Sequence, residues 1–198
     1  SSDAVRPFDA RRDGTLFGEG AAALALEPLE SALARQAPVL GQFLGSGTVS
    51  EASGIVQLQP DGDGPTRAIR LALADAGISP EEVGMIVAHG NGTPNSDASE
   101  AAAILRVFGH QVPPVTAFKW AIGHTLAAAG TLDAALVLEC LARDVVPGIP
   151  TLREVDPAFA ALPVSRDHQR PRSDIALIIC RGFGGMNVAL LVRRNPPS

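Results

Sequence analysis

Residues 115–133, VTAFKWAIGHTLAAAGTLD, decide how this chain folds. The stretch opens on a short apolar run after Pro114, and Pro114 to Phe118 reads as a strand. From Thr125 to Arg143 the residues read as a long helix, whose Ala/Gly-rich first half is suited to lie against other backbone. Between strand and helix stand Lys119 and, five residues on, His124. Lys119 is the only lysine; every other basic side chain apart from histidine is arginine. Strand ends that pass into helix starts are where α/β proteins place their chemistry. The same pattern occurs upstream. The apolar run Met85 to Ala88 ends on His89, and the chain then turns through Gly90-Asn-Gly-Thr-Pro94. The expectation is that His89 and His124 face one small pocket, with Lys119 beside it.

The flanking segments supply the rest of an α/β fold. Val39 to Thr48 reads as an extended run, and Ser50 to Gly64 as polar and turn-rich. Pro65 to Gly77 has helical periodicity, with Pro65 in the first turn and Gly77 as the stop. Ser79-Pro80-Glu81-Glu82 reads as a cap with acids in a short helix, and Val83 to Ala88 as a buried strand. Ser96 or Asp97 is expected to cap a helix ending near Phe108. Val145 to Thr151 reads as extended and Pro157 to Arg172 as a loop. Ile175 to Cys180 and Val188 to Val192 read as strands joined by the tight turn Gly182 to Asn187. Strands alternating with helices imply a largely parallel sheet, and the last two strands add an antiparallel pair. The beginning differs: Ser1 to Gly20 reads as loop, followed by a strand over Ala21 to Leu29 and a short helix around Ser31 to Arg35. Such a first strand would pair with strands outside this chain.

Composition narrows the function. The 198 residues are 46% hydrophobic, enough for one domain with a sizeable core. A formal charge of −5 argues against non-specific nucleic-acid binding, which needs a basic surface. No apolar run reaches the roughly 18–20 residues of a membrane span. No signal peptide opens the chain. Cys140 and Cys180 sit inside apolar segments, as expected of reduced thiols in a cytoplasmic protein.

The titratable residues suggest a chemistry. A histidine following Gly123 at a helix entrance meets the positive end of the helix, which favours a neutral ring that donates N–H. Two neutral imidazoles aimed at one oxygen make an oxyanion or enolate site. A buried Lys119 needs acidic company, and Asp97, Glu100 and Asp133 are placed to provide it. Gly90 and Gly92 let a ligand approach backbone, and the Thr93 hydroxyl is free to bond it. Phe183, flanked by Gly182 and Gly184, is suited to swing as a gate. No metal is expected, because His89, His124 and Asp97 lack ligand spacing. No Ser or Cys stands in a nucleophile turn; Cys180, ending a strand, is the only candidate reactive thiol.

Taken together these motifs resemble the β-ketoacyl-acyl-carrier-protein synthases, over nearly the whole chain but only the carboxyl-terminal half of that family's domain. Arg6-Pro-Phe-Asp-Ala-Arg-Arg-Asp-Gly14 with Gly18-Glu-Gly20 is similar to the family's mid-domain signature. His89-Gly-Asn-Gly-Thr-Pro94 with Asp97, Lys119 through Gly123-His124, and Gly182-Phe-Gly-Gly185 with Asn187 are similar to its two histidine motifs and its gating loop. The resemblance implies a thiolase fold and a decarboxylative Claisen condensation. In that reaction a malonyl group on an acyl carrier protein loses CO₂, and its enolate attacks an acyl thioester. It implies His89, His124 and Lys119 as catalytic residues, Asp97, Glu100 and Asp133 as their support, and Asn91, Thr93, Phe183 and Gly184 as substrate contacts. No cofactor of the chain's own is implied, only the phosphopantetheine arm of the carrier protein. The nucleophilic cysteine would lie in an amino-terminal half or a second chain. Residues 1–198 would be the carboxyl-terminal half of the domain, with 1–20 the linker, in a homodimer or a heterodimer with a synthase-like subunit.

Four positions depart from the family pattern: Asn91, Thr15, Arg181 and Asp133. They imply a divergent acyl pocket, with motif variants similar to the aryl-polyene-type synthases. Two other readings remain open. A thiolase would use Cys180-Arg-Gly as its base motif, although the His89 loop differs from the asparagine-centred motif of thiolases. A chain-length-factor-like partner would be non-catalytic, although such proteins tend to lose both histidines.

Overall fold

The computed structural model describes residues 3–52, 54 and 57–195; part of the turn-rich 50–64 stretch and the first two residues of the expected opening loop lie outside them. The sheet has five strands: β1 (Gly41–Ser50), β2 (Met85–Val87), β3 (Val115–Thr116), β4 (Ile175–Gly182) and β5 (Met186–Arg194). Their spatial order is β1-β5-β4-β2-β3. β2 runs parallel to both β3 and β4, whereas β4–β5 and β5–β1 are antiparallel. The sheet is therefore mixed in equal measure, where a largely parallel one was expected. The extended run near Val39 to Thr48 is what tips the balance, because it docks antiparallel on β5 and not beside β2.

Helices α1 (Leu29–Ala34), α2 (Asp63–Ala76), α3 (Pro94–Phe108), α4 (Lys119–Ile122) and α5 (Ala129–Ala142) complete the fold. Side chains alternate across the sheet, so β2, β4 and β5 feed two cores. Ile86, Leu177, Ile179 and Leu191 meet Ile69 and Leu73 of α2 and Ile104 of α3. Met85, Val87, Ile178 and Val192 meet Val137 and Leu141 of α5. Helices on both faces explain why β2 is apolar at every position. α2 approaches β1 unusually closely, because Gly47 presents no side chain: a Cβ there would sit 2.1 Å from the Ala68 carbonyl oxygen. No helix of the described residues is long and apolar enough to cross a membrane.

Several local expectations need correction. Residues 21–28 form no regular element, and their side chains are mostly exposed; the apolar composition was that of a surface segment. α3 starts at Pro94 with Thr93 as its N-cap, so neither Ser96 nor Asp97 caps it. Pro94 explains this, since proline favours the first helical position. The long helix starts at Ala129, after a 3₁₀ turn at Leu126–Ala128, because Leu126 takes a positive φ of 55° and interrupts the run. Residues 145–151 make only a bridge at Val146 with Gln169, and the acid-capped Ser79–Glu82 segment is a single 3₁₀ turn with a capping box.

Candidate active site

The first histidine is held by carboxylates of α3. β2 ends at Val87, and the Ala88 N–H still donates to the Thr116 carbonyl at 2.8 Å. The chain then leaves the sheet, and its next N–H groups need other acceptors. Glu100 takes the N–H of His89 at 2.7 Å and of Gly90 at 2.9 Å. Asp97, one turn earlier, takes the N–H of Gly92 at 3.1 Å and of Phe8 at 2.9 Å. Burial pushes the Asp97 carboxyl up to about 7 and that of Glu100 upward, against the pull of these hydrogen bonds. Both acids therefore serve the His89 loop; Asp133 is the one that pairs with Lys119, at 3.7 Å.

The second histidine is positioned from the opposite side. The His124 N–H donates to the Leu16 carbonyl at 2.7 Å, and its carbonyl accepts the Gly18 N–H at 3.2 Å. Gly18 must be glycine for this, since a Cβ would lie 1.9 Å from the Ile122 carbonyl oxygen. Thus the Arg6–Gly20 segment, unremarkable as secondary structure, fixes a histidine more than a hundred residues away.

The two rings meet edge to face, with centroids 5.2 Å apart. The N–H of Arg181 donates to His89 Nδ1 at 3.3 Å, and the N–H of Leu126 donates to His124 Nδ1 at 3.1 Å. A nitrogen that accepts carries no proton, so each neutral ring bears its proton on Nε2. Burial, then the Lys119 ammonium, His124 and Arg181, holds the pKa of His89 well below 6.5. Burial and then Lys119 bring that of His124 to about 4. The neutral His124 expected from a helix end thus comes from burial and Lys119 instead, since α5 begins five residues later. Lys119 is only 2% exposed, and its Nζ has no hydrogen-bond partner among the described residues.

Both rings open into a cavity of about 670 Å³. Asn91, Thr93, Ser96 and Arg181 add polar groups, while Phe17, Leu58, Leu126 and Phe183 supply apolar wall. Lys119, Asp97, Glu100, Asp133 and Gly184 are not among the lining residues; the four charged ones stand behind the wall. The Thr93 hydroxyl is not free, because it donates to Asn91 Oδ1 at 2.8 Å. Phe183 is 72% exposed at the tip of the β4–β5 turn. Cys180 does not line the cavity; a Cβ on Gly130 of α5 would lie 3.1 Å from its Sγ, and burial first, with Asp133, raises its thiol to about 12.

Two features escaped the sequence. Glu51, in a turn-rich stretch, is 7% exposed and accepts from the Arg181 guanidinium at 3.0 Å and the Asn187 amide at 2.9 Å. Leu126 supplies the N–H that sets the His124 tautomer, through a backbone conformation no leucine advertises. Neutral N–H donors converging on a cavity, with a buried ammonium behind them, are arranged to receive negative charge developing on an oxygen.

The chain is similar to known proteins. Residues 40–153 match the family model described as "Beta-ketoacyl synthase, C-terminal domain". The chain is 40% identical over 193 residues to 3-oxoacyl-[acyl-carrier-protein] synthase 2 of Synechocystis, covering 96% of this chain and 46% of that protein. Among solved structures, the ishigamide ketosynthase/chain length factor superposes with a TM-score of 0.93 at 38% identity, covering 99% of this chain and 48% of that one. A type II polyketide acyl-carrier protein in complex with its ketosynthase bound to the hexaketide matches with a TM-score of 0.92 at 30% identity, covering 98% of this chain and 48% of that one. The chain thus spans about half the length of the relatives it matches, 46% of the first of them. With the family model matched over 40–153 and its thiolase-like neighbours superposing over nearly every residue, this chain belongs to the β-ketoacyl synthase family, in its carboxyl-terminal domain.

Proposed function

We propose that this chain supplies the decarboxylation chemistry of a β-ketoacyl-acyl-carrier-protein synthase. The observation that carries the reading is the matched pair of histidines. Each Nδ1 accepts a backbone N–H, each ring is held neutral, and both reach the same cavity. Loss of CO₂ from a malonyl thioester leaves an electron pair that spreads onto the thioester oxygen as an enolate. Two N–H donors placed beforehand stabilise that oxygen more than the carbonyl it replaces, which is what lowers the barrier. Burial keeps both rings neutral, and the charge of Lys119, with Asp133 as its counter-ion, adds to it.

Asn91 and Thr93 on the cavity wall take the phosphopantetheine arm of an acyl carrier protein, and Phe183 gates the acyl chain, with Gly184 giving it room to move. The nucleophilic cysteine that carries the acyl group comes from an amino-terminal half or from a second, synthase-like chain. The enolate carbon attacks that thioester, the new C–C bond forms, and the cysteine thiolate leaves. The product class is a fatty acyl or polyketide chain, with the aryl-polyene type favoured by the motif variants. Cys180, with its raised pKa and its sulfur against α5, is unsuited to the thiolase base role.

The test is decarboxylation of malonyl-carrier protein and condensation by the complete protein, compared for wild type, His89→Ala and His124→Ala. Loss of decarboxylation in both variants supports the reading. Survival of condensation in both leaves this chain a pocket-shaping partner of the chain-length-factor kind.

A further inference from the structure

The β4–β5 turn is held at both feet by one buried carboxylate. On the first foot, Arg181 donates from its guanidinium to Glu51 Oε1 at 3.0 Å, to Asn187 Oδ1 at 3.0 Å and to the Ser96 carbonyl at 3.1 Å. On the second foot, Asn187 donates to the same Glu51 oxygen at 2.9 Å, and the Glu51 N–H donates to the Gly185 carbonyl at 2.9 Å. The Arg181 side chain is 3% exposed and that of Glu51 0%, so the pair is desolvated and rigid. Between the feet the tip is open to solvent: Phe183 is 72% exposed, a Cβ on Gly184 would meet nothing within 4 Å, and the one side-chain tie is a long hydrogen bond from the Ser50 hydroxyl to the Gly184 carbonyl at 3.4 Å. The first foot is also the support of a histidine, since the Arg181 N–H fixes His89 Nδ1.

We propose that Arg181 is a specificity-determining, positioning residue: its guanidinium clamps both feet of the 182–187 turn to Glu51 and α3, confining movement to Phe183–Gly184 and giving the cavity a wall that does not yield to the acyl chain. The proposal rests on the condensing-enzyme reading for its substrate class. The clamp itself is a physical property of the turn. An arginine suits this task because a planar fork bonds several acceptors in fixed directions at once. An apolar residue at 181 would take the guanidinium from the buried Glu51 carboxylate and would free the first foot, although Asn187 and the Gln59 N–H still donate to that carboxylate.

The experiment compares the complete wild-type protein with Arg181→Met/Glu51→Gln, which removes both charges together and so avoids stranding either one in the interior. Hydrogen exchange is read at the amides of 182–187, and condensation is read across saturated acyl-carrier substrates of increasing length. The expected results are exchange about tenfold faster in that turn with the β2 and β4 amides unchanged, and a fall of about tenfold in the kcat/KM ratio between best and worst chain length. A merely structural role would slow every substrate by one factor and loosen the whole sheet. Unchanged exchange in the turn, or uniform slowing with selectivity intact, overturns the proposal. Wild-type protein inactive on every substrate would count against the condensing-enzyme reading, while the exchange data would still decide the clamp. As a folding check, Arg181→Lys keeps the charge but not the fork, and is expected to exchange at an intermediate rate.

Discussion

At the scale of single residues, the proposed chemistry depends on keeping two imidazoles uncharged. His89 and His124 have pKa values below the ordinary 6.5, that of His124 near 4, with burial the leading cause and Lys119 second. Removing either N–H donor is expected to lower malonyl-carrier decarboxylation by about 10²–10³-fold in His89→Ala or His124→Ala, measured as CO₂ release in the complete protein. The rate is expected to stay level through neutral pH and fall in acid as His124 protonates near pH 4. The sign for stability follows from linkage. Between the unfolded value of 6.5 and about 4, the unfolded chain binds protons that native His124 and His89 refuse. Stability therefore drops as pH falls through that window, and His124→Ala flattens the slope. Urea midpoints taken across pH 4 to 7 in both proteins check this; an equal slope would show that the ring titrates normally. A rate that already falls as pH drops through 7 to 6 would likewise contradict neutral donors, because it would place protonation at the ordinary imidazole value.

At the scale of elements, glycines set how closely strands and helices approach. Gly47 of β1 and Gly77 after α2 make a contrasting pair. A methyl at 47 collides with the Ala68 carbonyl at 2.1 Å, whereas at 77 it meets nothing but must accept a φ of 67°. Gly47→Ala is expected to cost about 1–3 kcal/mol through displaced α2, and Gly77→Ala about 1 kcal/mol through backbone strain alone. Thermal denaturation of the complete protein measures both, and a larger loss at 77 would mean that α2 shifts freely on β1. The same contrast explains what could be read from sequence. α2 and its Gly77 stop were legible because a first-turn proline, helical periodicity and a C-terminal glycine agree. The buried β2 and the β4–β5 pair were legible as continuous apolar runs. The antiparallel docking of β1 was not, because pairing partners are chosen by tertiary packing and the run itself is rich in glycine. The histidines announced themselves at strand ends, but Glu100, expected beside Lys119 and within reach of its charge, also accepts the N–H groups of the His89 loop. A carboxylate's partner is a matter of three-dimensional reach, and Glu51 had no local pattern at all.

At the scale of the whole molecule, the surface has large apolar residues where a self-sufficient domain would have polar ones. Phe17, Leu40, Phe183 and Leu26 are 73%, 73%, 72% and 70% exposed, and Leu33 is 60% exposed on α1. Phe17, Phe183 and Leu126 border the cavity, so one side of it is open and apolar. Scattered exposed leucines are ordinary, but aromatic and aliphatic groups gathered around a cavity mouth mark a surface built to be covered. The 198 residues on their own are therefore expected to self-associate in a concentration-dependent way, despite a formal charge of −5 that opposes it. Light scattering over a concentration series reads this directly. On the proposal that an amino-terminal half or a synthase-like chain completes the site, co-expression with that partner is expected to give a monodisperse complex in which Phe17 and Phe183 are protected from hydroxyl-radical labelling. A lone 20.4 kDa monomer that unfolds cooperatively would contradict the argument, because it would mean that the two cores on either side of the sheet suffice without a covering partner.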